Sequence, residues 1–155
     1  MKTFLTALLL GLLSMPCPAQ PNNETVIKQV IVDETNAFMN REFDRQMAFY
    51  AHEPYTTLQF NNTDGSVTKN EGWTAISSNM KAYYKANPKE SFVKAERSNW
   101  KLKMMSPDWC WVRFDQVMTD VNRKAGKSTE NRLMQRIGGQ WKIASMVALW
   151  DVKKK

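Results

Sequence analysis

Asn131-Arg132-Leu133-Met134-Gln135-Arg136-Ile137, then Gly138-Gly139, then Gln140-Trp141-Lys142-Ile143-Ala144-Ser145-Met146-Val147-Ala148-Leu149-Trp150 is the stretch whose reading decides the fold. Two runs of strand-forming residues flank a Gly-Gly pair. Glycine reaches positive φ without a Cβ clash, so such a pair between two such runs signals a hairpin. A long closing hairpin carrying Trp141-Lys142-Ile143 predicts the centre of a curved sheet, with the rest of the chain covering it.

Upstream of the hairpin the pattern is also strand. In Val93 to Met105, Trp100, Leu102 and Met104 alternate with Asn99, Lys101 and Lys103. One apolar and one cationic face is the mark of a half-buried strand. Ser106-Pro107-Asp108 turns the chain into Trp109 to Val121, the most hydrophobic strand. There Cys110, Val112, Phe114, Gln116 and Met118 share one face, and Trp109, Trp111, Arg113, Asp115 and Val117 share the other. Asn122 to Ser128 is a basic loop that leads into the hairpin.

The first half is mostly helical. Val26, Ile27, Val30, Ile31, Ala37 and Phe38 form one stripe and predict a helix over about residues 24 to 39, capped by Asn22 or Asn23. Phe43, Met47 and Tyr50 continue an apolar face on a second, short helix. Tyr55 to Phe60 alternates as a strand, Asn61 to Ser66 is a turn cluster, and Val67-Thr68 is a brief return strand. Trp73, Ile76, Met80, Tyr83 and Tyr84 fit a third helix over about 72 to 86, which Asn87-Pro88 stops. Helices followed by a run of strands predict an α+β fold, with a strongly bent antiparallel sheet packed on N-terminal helices.

The first nineteen residues read differently. Lys2, the apolar run Phe4 to Leu13 and the break at Pro16-Cys17-Pro18-Ala19 have the three-part pattern of a secretory signal. The run is too short to span a bilayer, which takes about 20 apolar residues. Residues 1–19 are expected to be removed, leaving one domain over 20–155, exported to the periplasm or secreted. Lipid anchoring through Cys17 is the less favoured alternative, because Pro16 rather than a small residue precedes it. Only Cys110 then remains, so no internal disulfide is possible, and a small buried apolar role is expected for it.

The chain carries 22 Lys and Arg against 15 Asp and Glu. The excess is spread along the chain with no recognition motif, so a solvated basic surface is expected rather than a nucleic-acid partner. One histidine, one cysteine beyond the leader and no carboxylate pair at ligand spacing give no metal site. Gly138-Gly139 sits in a hairpin and not before a helix, so no phosphate loop or other cofactor site is predicted.

The order of elements, the Gly-Gly-Gln-Trp-Lys-Ile turn and the helix start Glu71-Gly72-Trp73-Thr74-Ala75-Ile76 resemble the nuclear transport factor 2-like superfamily, in particular its SnoaL-like secreted bacterial members. The resemblance spans roughly residues 24 to 151. It implies a cone, a bent sheet wrapped around helices, with a pocket at the open end and often a dimer through the outer sheet face. The superfamily includes polyketide cyclases, ketosteroid isomerases, dehydratases and many non-catalytic members, so the fold alone leaves function open. SnoaL-like members often carry His or Asp after the Trp-Lys-Ile segment. Here Ala144, Ser145, Met146 and Val147 stand there, and none titrates near neutral pH.

His52, the only histidine, is the best candidate for proton transfer, against the ordinary reading of a surface or packing residue. Asp115 has the parity of the outer face and is expected to pair with a neighbouring cation. Gln116 is the expected interior polar group, with Ser145 beside it to hydrogen-bond a ligand. Tyr50, Tyr55, Trp73 and Phe114 complete the candidate lining of an apolar, Met- and Trp-rich cavity. Trp109 and Trp111 lie opposite the expected core and predict a homodimer face. The favoured reading is a domain that binds a small apolar or amphipathic molecule. The alternatives are a small isomerase, cyclase or dehydratase using His52 with Tyr50 or Tyr55, and a non-catalytic dimeric interaction module.

Overall fold

The computed structural model describes residues 22–62 and 64–152. The expected signal segment, with Cys17, and the Lys153 to Lys155 tail lie outside the described residues. The order is α1 Asn23–Met39, α2 Phe43–Met47, β1 Thr57–Asn61, β2 Val67–Glu71, α3 Trp73–Ala86, β3 Phe92–Ser106, β4 Trp109–Asp120, β5 Ala125–Ile137 and β6 Gln140–Trp150. Among the described residues no helix is long and apolar enough to cross a membrane.

Local chemistry sets the element ends. The Asn22 side chain accepts from the Glu24 amide at 3.1 Å and so satisfies one of the free donors that open α1. Ile27, Ile31 and Glu34 lie on the buried side of that helix. Gly138 and Gly139 both have positive φ, 56° and 80°, and close a two-residue turn between Ile137 and Gln140. Positive φ at both central positions is the geometry that matches strand twist.

The six strands form one curled, unclosed sheet in the order β2-β1-β6-β5-β4-β3, so the final hairpin does supply its two middle strands. The sheet is mixed and not purely antiparallel as expected: β1 runs parallel to β6, with Thr57 opposite Ser145 and Phe60 opposite Ala148. β1 reaches that position across most of the fold, not through a hairpin, so nothing forces an antiparallel arrangement.

The helices sit on the concave face. Ile27, Ile31, Met47, Tyr50, Leu58, Ile76, Cys110, Val112, Phe114, Met134, Trp141 and Ile143 form one buried cluster. Complete burial of an aliphatic or aromatic side chain stabilises by about 1.5–3 kcal/mol, so this cluster is the main cohesive element. Cys110 is a buried free thiol in it, as the parity of β4 predicts, and burial raises its pKa.

One irregularity in β6 matters for the site. Leu133 faces Ser145 while Met134 faces Ile143, so Ala144 is an extra residue, a bulge. A single inserted residue reverses which side chains point inward. Trp141 and Ile143 face the core before the bulge, and Met146 and Ala148 face inward after it.

Candidate functional site: a cavity with an ionic floor

The curl of the sheet and the packing of α1 and α3 leave a cavity of about 360 Å³. Its walls are largely apolar: Phe38, Leu58, Phe60, Ile76, Met80, Phe92, Met118, Met146 and Trp150 among them. Among the described residues the wall carries Met80, Met118 and Met146, and of the tryptophans Trp150 alone. Thr68, Asn70 and Asn79 add polar groups, and the Asn79 amide donates to Asn70 Oδ1 at 2.6 Å, tying α3 to β2.

The floor is ionic and almost dry. Arg132, 2% exposed, projects inward from β5 between two carboxylates. Its Nη1 donates to Glu34 Oε2 at 2.9 Å, and its Nη2 and Nε donate to Glu130 Oε2 at 2.8 and 3.0 Å. Glu34 Oε1 accepts from Gln46 Nε2 at 2.7 Å and from the Tyr50 hydroxyl at 3.0 Å. Gln46 Oε1 in turn accepts from the Tyr84 hydroxyl at 2.6 Å. Glu130 Oε1 accepts from Gln116 Nε2 at 2.6 Å. Charges this deep are tolerated only when paired and bonded, and here every carboxylate oxygen has a donor.

The protonation states follow from that network. Burial alone would raise the Glu34 pKa, but the Arg132 charge and the bonds from Gln46, Arg132 and Tyr50 outweigh it and hold the carboxyl below its ordinary value. Burial disfavours the Arg132 cation, yet Glu130 and Glu34 more than compensate, and its pKa is raised. Burial, with the negative charge of Glu34 beside it, pushes the Tyr50 phenol well above its usual value. Burial and Glu34 raise Tyr84 in the same sense. At neutral pH Glu34 is therefore a carboxylate, Arg132 a guanidinium, and Tyr50 and Tyr84 neutral phenols.

The sequence-predicted residues divide sharply. Tyr50 and Gln116 line the cavity together. Phe114 lies in the core and not on the wall, stacked on Trp100 with ring centres 4.4 Å apart and with the Arg132 guanidinium 5.7 Å from its own. Trp73 does not reach the cavity either, because its ring stacks on His52 at 3.7 Å. His52 itself is exposed on the far side of that stack, and its Nε2 donates to the Met47 carbonyl at 3.1 Å. Tyr55 is 50% exposed and donates to Gln135 Oε1 at 2.7 Å. Ser145 is turned to the convex face by the Ala144 bulge, where its hydroxyl meets that of Thr57 at 2.7 Å. No proton-transfer pair of His52 with Tyr50 or Tyr55 is assembled.

Asp115 is on the outer face as its parity predicts. It accepts from Asn99 at 2.7 Å and Thr129 at 3.0 Å, and these bonds, more than the cations expected as its partners, lower its pKa. Trp109 and Trp111 are both half-buried on that face, with Tyr55 6.4 Å from Trp109.

The sequence carries only a faint signal for Glu34, Glu130 and Arg132. Glu130, Arg132 and Met134 alternate on the inward parity of β5, and Glu34 continues the Ile27 and Ile31 stripe by three residues. Two acids and a base on buried parities are out of place unless they meet.

No family model and no curated protein matches the sequence. Solved structures do match in shape. An NTF-2 like protein of unknown function from Shewanella oneidensis superposes with a TM-score of 0.66 at 17% identity, over 81% of this chain and 98% of that one. A ketosteroid isomerase-like protein from Erwinia carotovora atroseptica gives 0.62 at 16% identity, over 83% and 97%. A cystatin-like fold protein of unknown function from Nostoc punctiforme gives 0.64 at 11% identity, over 84% and 92%. The chain has the nuclear transport factor 2-like fold.

Proposed function

We propose that this domain binds a small, mainly apolar molecule in the cavity between the helices and the curled sheet, without acid–base chemistry of its own. The observation that carries this reading is the combination of apolar walls with a floor whose carboxylate oxygens each already accept a hydrogen bond. A general base needs a pKa near the working pH. Glu34 is held below its ordinary value by Arg132 and its hydrogen-bond donors, and Tyr50 keeps its proton. A pocket of a few hundred Å³ with apolar walls and a few fixed polar groups is the usual form of a small-molecule site.

The test is native mass spectrometry of protein purified from its own host, with a thermal-shift screen of small apolar compounds beside it. A retained molecule, or a compound that raises the melting temperature of the native chain but not of Ala148→Phe, supports the reading. Ala148 lines the cavity, so the added ring fills it. No retained molecule and no shift with any compound defeats it.

Two further parts of the reading belong with it. The domain is exported after loss of residues 1–19, so the N-terminal residue of material from the host should be Gln20. It pairs as a homodimer through the Trp109 and Trp111 face, which light scattering of native and Trp111→Lys protein checks. A native monomer sinks that part alone.

A further inference from the structure

The polar groups of the cavity divide by depth. Those of the floor, Glu34, Gln46, Tyr50, Gln116, Glu130 and Arg132, are all buried. Three others stand on the rim, where the cavity meets solvent: Thr68 and Asn70 are half-buried and Asn79 is exposed. β2 alternates, with Val67, Lys69 and Glu71 turned to solvent and Thr68 and Asn70 turned to the cavity. An edge strand that closes an apolar cavity calls for apolar residues at its inward positions. Threonine and asparagine stand there instead, with Asn79 of α3 against Asn70.

The hydrogen bonds of these side chains decide what they still offer. Asn79 Nδ2 donates to Asn70 Oδ1 at 2.6 Å. That bond orients both amides, leaving Asn70 Nδ2 as a donor and Asn79 Oδ1 as an acceptor. Thr68 Oγ1 accepts from Asn62 Nδ2 at 3.0 Å, which leaves its own proton to donate. The rim thus presents two donors, one acceptor and no charge. A carboxamide is its complement, because the oxygen accepts twice and the N–H donates.

Charge narrows the ligand further. Among the described residues Arg132 is the one cation on the cavity wall, and its Nε, Nη1 and Nη2 all donate to Glu130 and Glu34. A carboxylate entering the cavity therefore meets two acidic side chains and no unengaged cation. A buried unpaired charge costs far more than a buried neutral polar group. We infer that the cavity's ligand is an uncharged amphiphile with a carboxamide head, the head held by Thr68, Asn70 and Asn79 and the apolar body against Phe60, Met80 and Met146. This rests on the ligand-binding reading above and names its substrate class.

Calorimetric titration of the folded chain with octanamide, octanoate and 1-octanol at pH 7.5 tests this, since the three share a chain length and differ in the head group. Octanamide should bind at least about ten-fold more tightly than octanoate, whose charge finds no partner. Asn79→Leu removes the acceptor for the N–H and should weaken octanamide about ten-fold. It should leave 1-octanol nearly unchanged, since Thr68 and Asn70 still serve the single oxygen. A merely structural tie between α3 and β2 would weaken both probes alike, and that result overturns the placement on the rim. Melting curves check that the variant folds; if it does not, Asn79→Ala decides. Octanoate bound as tightly as octanamide overturns the uncharged assignment and leaves the cavity reading standing. An octanamide affinity that neither variant lowers overturns the placement on the rim. Binding of none of the three probes overturns this inference, while the host-purified protein still judges the broader reading.

Discussion

The two faces of the sheet hold charge in opposite ways. On the concave face Arg132, Glu34 and Glu130 are sealed from water and bonded atom by atom. On the convex side and at the edges, pairs such as Lys94–Glu96 at 2.9 Å have both side chains more than half exposed. The interaction looks the same in outline, but the reference state differs. Outside, each partner separated from the other regains water, so the pair is nearly neutral in free energy. Inside, a separated partner regains nothing, so the cluster is held together by the cost of breaking it. The difference teaches that the cluster specifies geometry: it fixes α1 against β5 and sets the height of the cavity floor.

Removing the central cation should break the comparison most severely. Arg132→Met leaves two carboxylates buried without their counter-charge, and loss of one partner from a buried pair costs about 3–5 kcal/mol. Urea denaturation at pH 7.5 should show that loss, or no folded protein at all. A drop below 1 kcal/mol would mean the cluster is wetter than its burial implies.

Glu34→Gln comes next. It keeps the shape but removes one charge, leaving Arg132 paired with Glu130, and the loss of charge-assisted bonds costs about 2 kcal/mol. The pH dependence gives an independent reading. Glu34 has a folded pKa below its unfolded value, so its contribution is present above the unfolded pKa, about 4.3, and is lost as pH falls through the lower folded value. Native protein should lose stability on acidification below about pH 5, as the unfolded carboxyl begins to take up protons, and Glu34→Gln should show a shallower acid limb. Parallel acid limbs for the two proteins would assign the transition to other carboxylates.

How much of this was legible beforehand depends on periodicity. The two long strands, the hairpin turn and the parity of Cys110, Val112, Phe114, Gln116 and Met118 follow from alternation, because a half-buried strand has a period of two. The Ala144 bulge breaks that period, and alternation alone puts Ser145 on the cavity side because nothing in its neighbours announces an extra residue. The parallel pairing of β1 with β6 is a tertiary choice with no local signature. His52 stands out in the sequence as the only imidazole, but its stack on Trp73 is a packing contact. The ionic floor was legible in principle but needed two distant segments read together, Glu34 on α1 and Arg132 on β5, 98 residues apart in sequence.

Tyr50→Phe tests the floor more gently. It deletes one donor to Glu34 while Gln46 still serves the same oxygen, so about 1 kcal/mol should be lost. Urea denaturation beside the native protein measures it, and a loss as large as that of Glu34→Gln would make the phenol, not Gln46, the main support of that carboxylate.

The smallest effect is expected outside. Lys94 and Glu96 share one face of β3, an edge strand, and the loss of either should cost no more than about 0.5 kcal/mol. A double-mutant cycle with Lys94→Ala and Glu96→Ala isolates their coupling from other effects of each substitution. That coupling should vanish in 1 M salt, where charges are screened within about 3 Å. The Arg132–Glu34 coupling, measured the same way with Arg132→Met and Glu34→Gln, should change little between low and high salt, because ions cannot enter between buried groups. Equal salt sensitivity at the two places would erase the distinction between the faces. It would mean that water and ions reach the floor, and a wet floor could not hold Glu34 and Arg132 in the fixed arrangement on which the cavity depends.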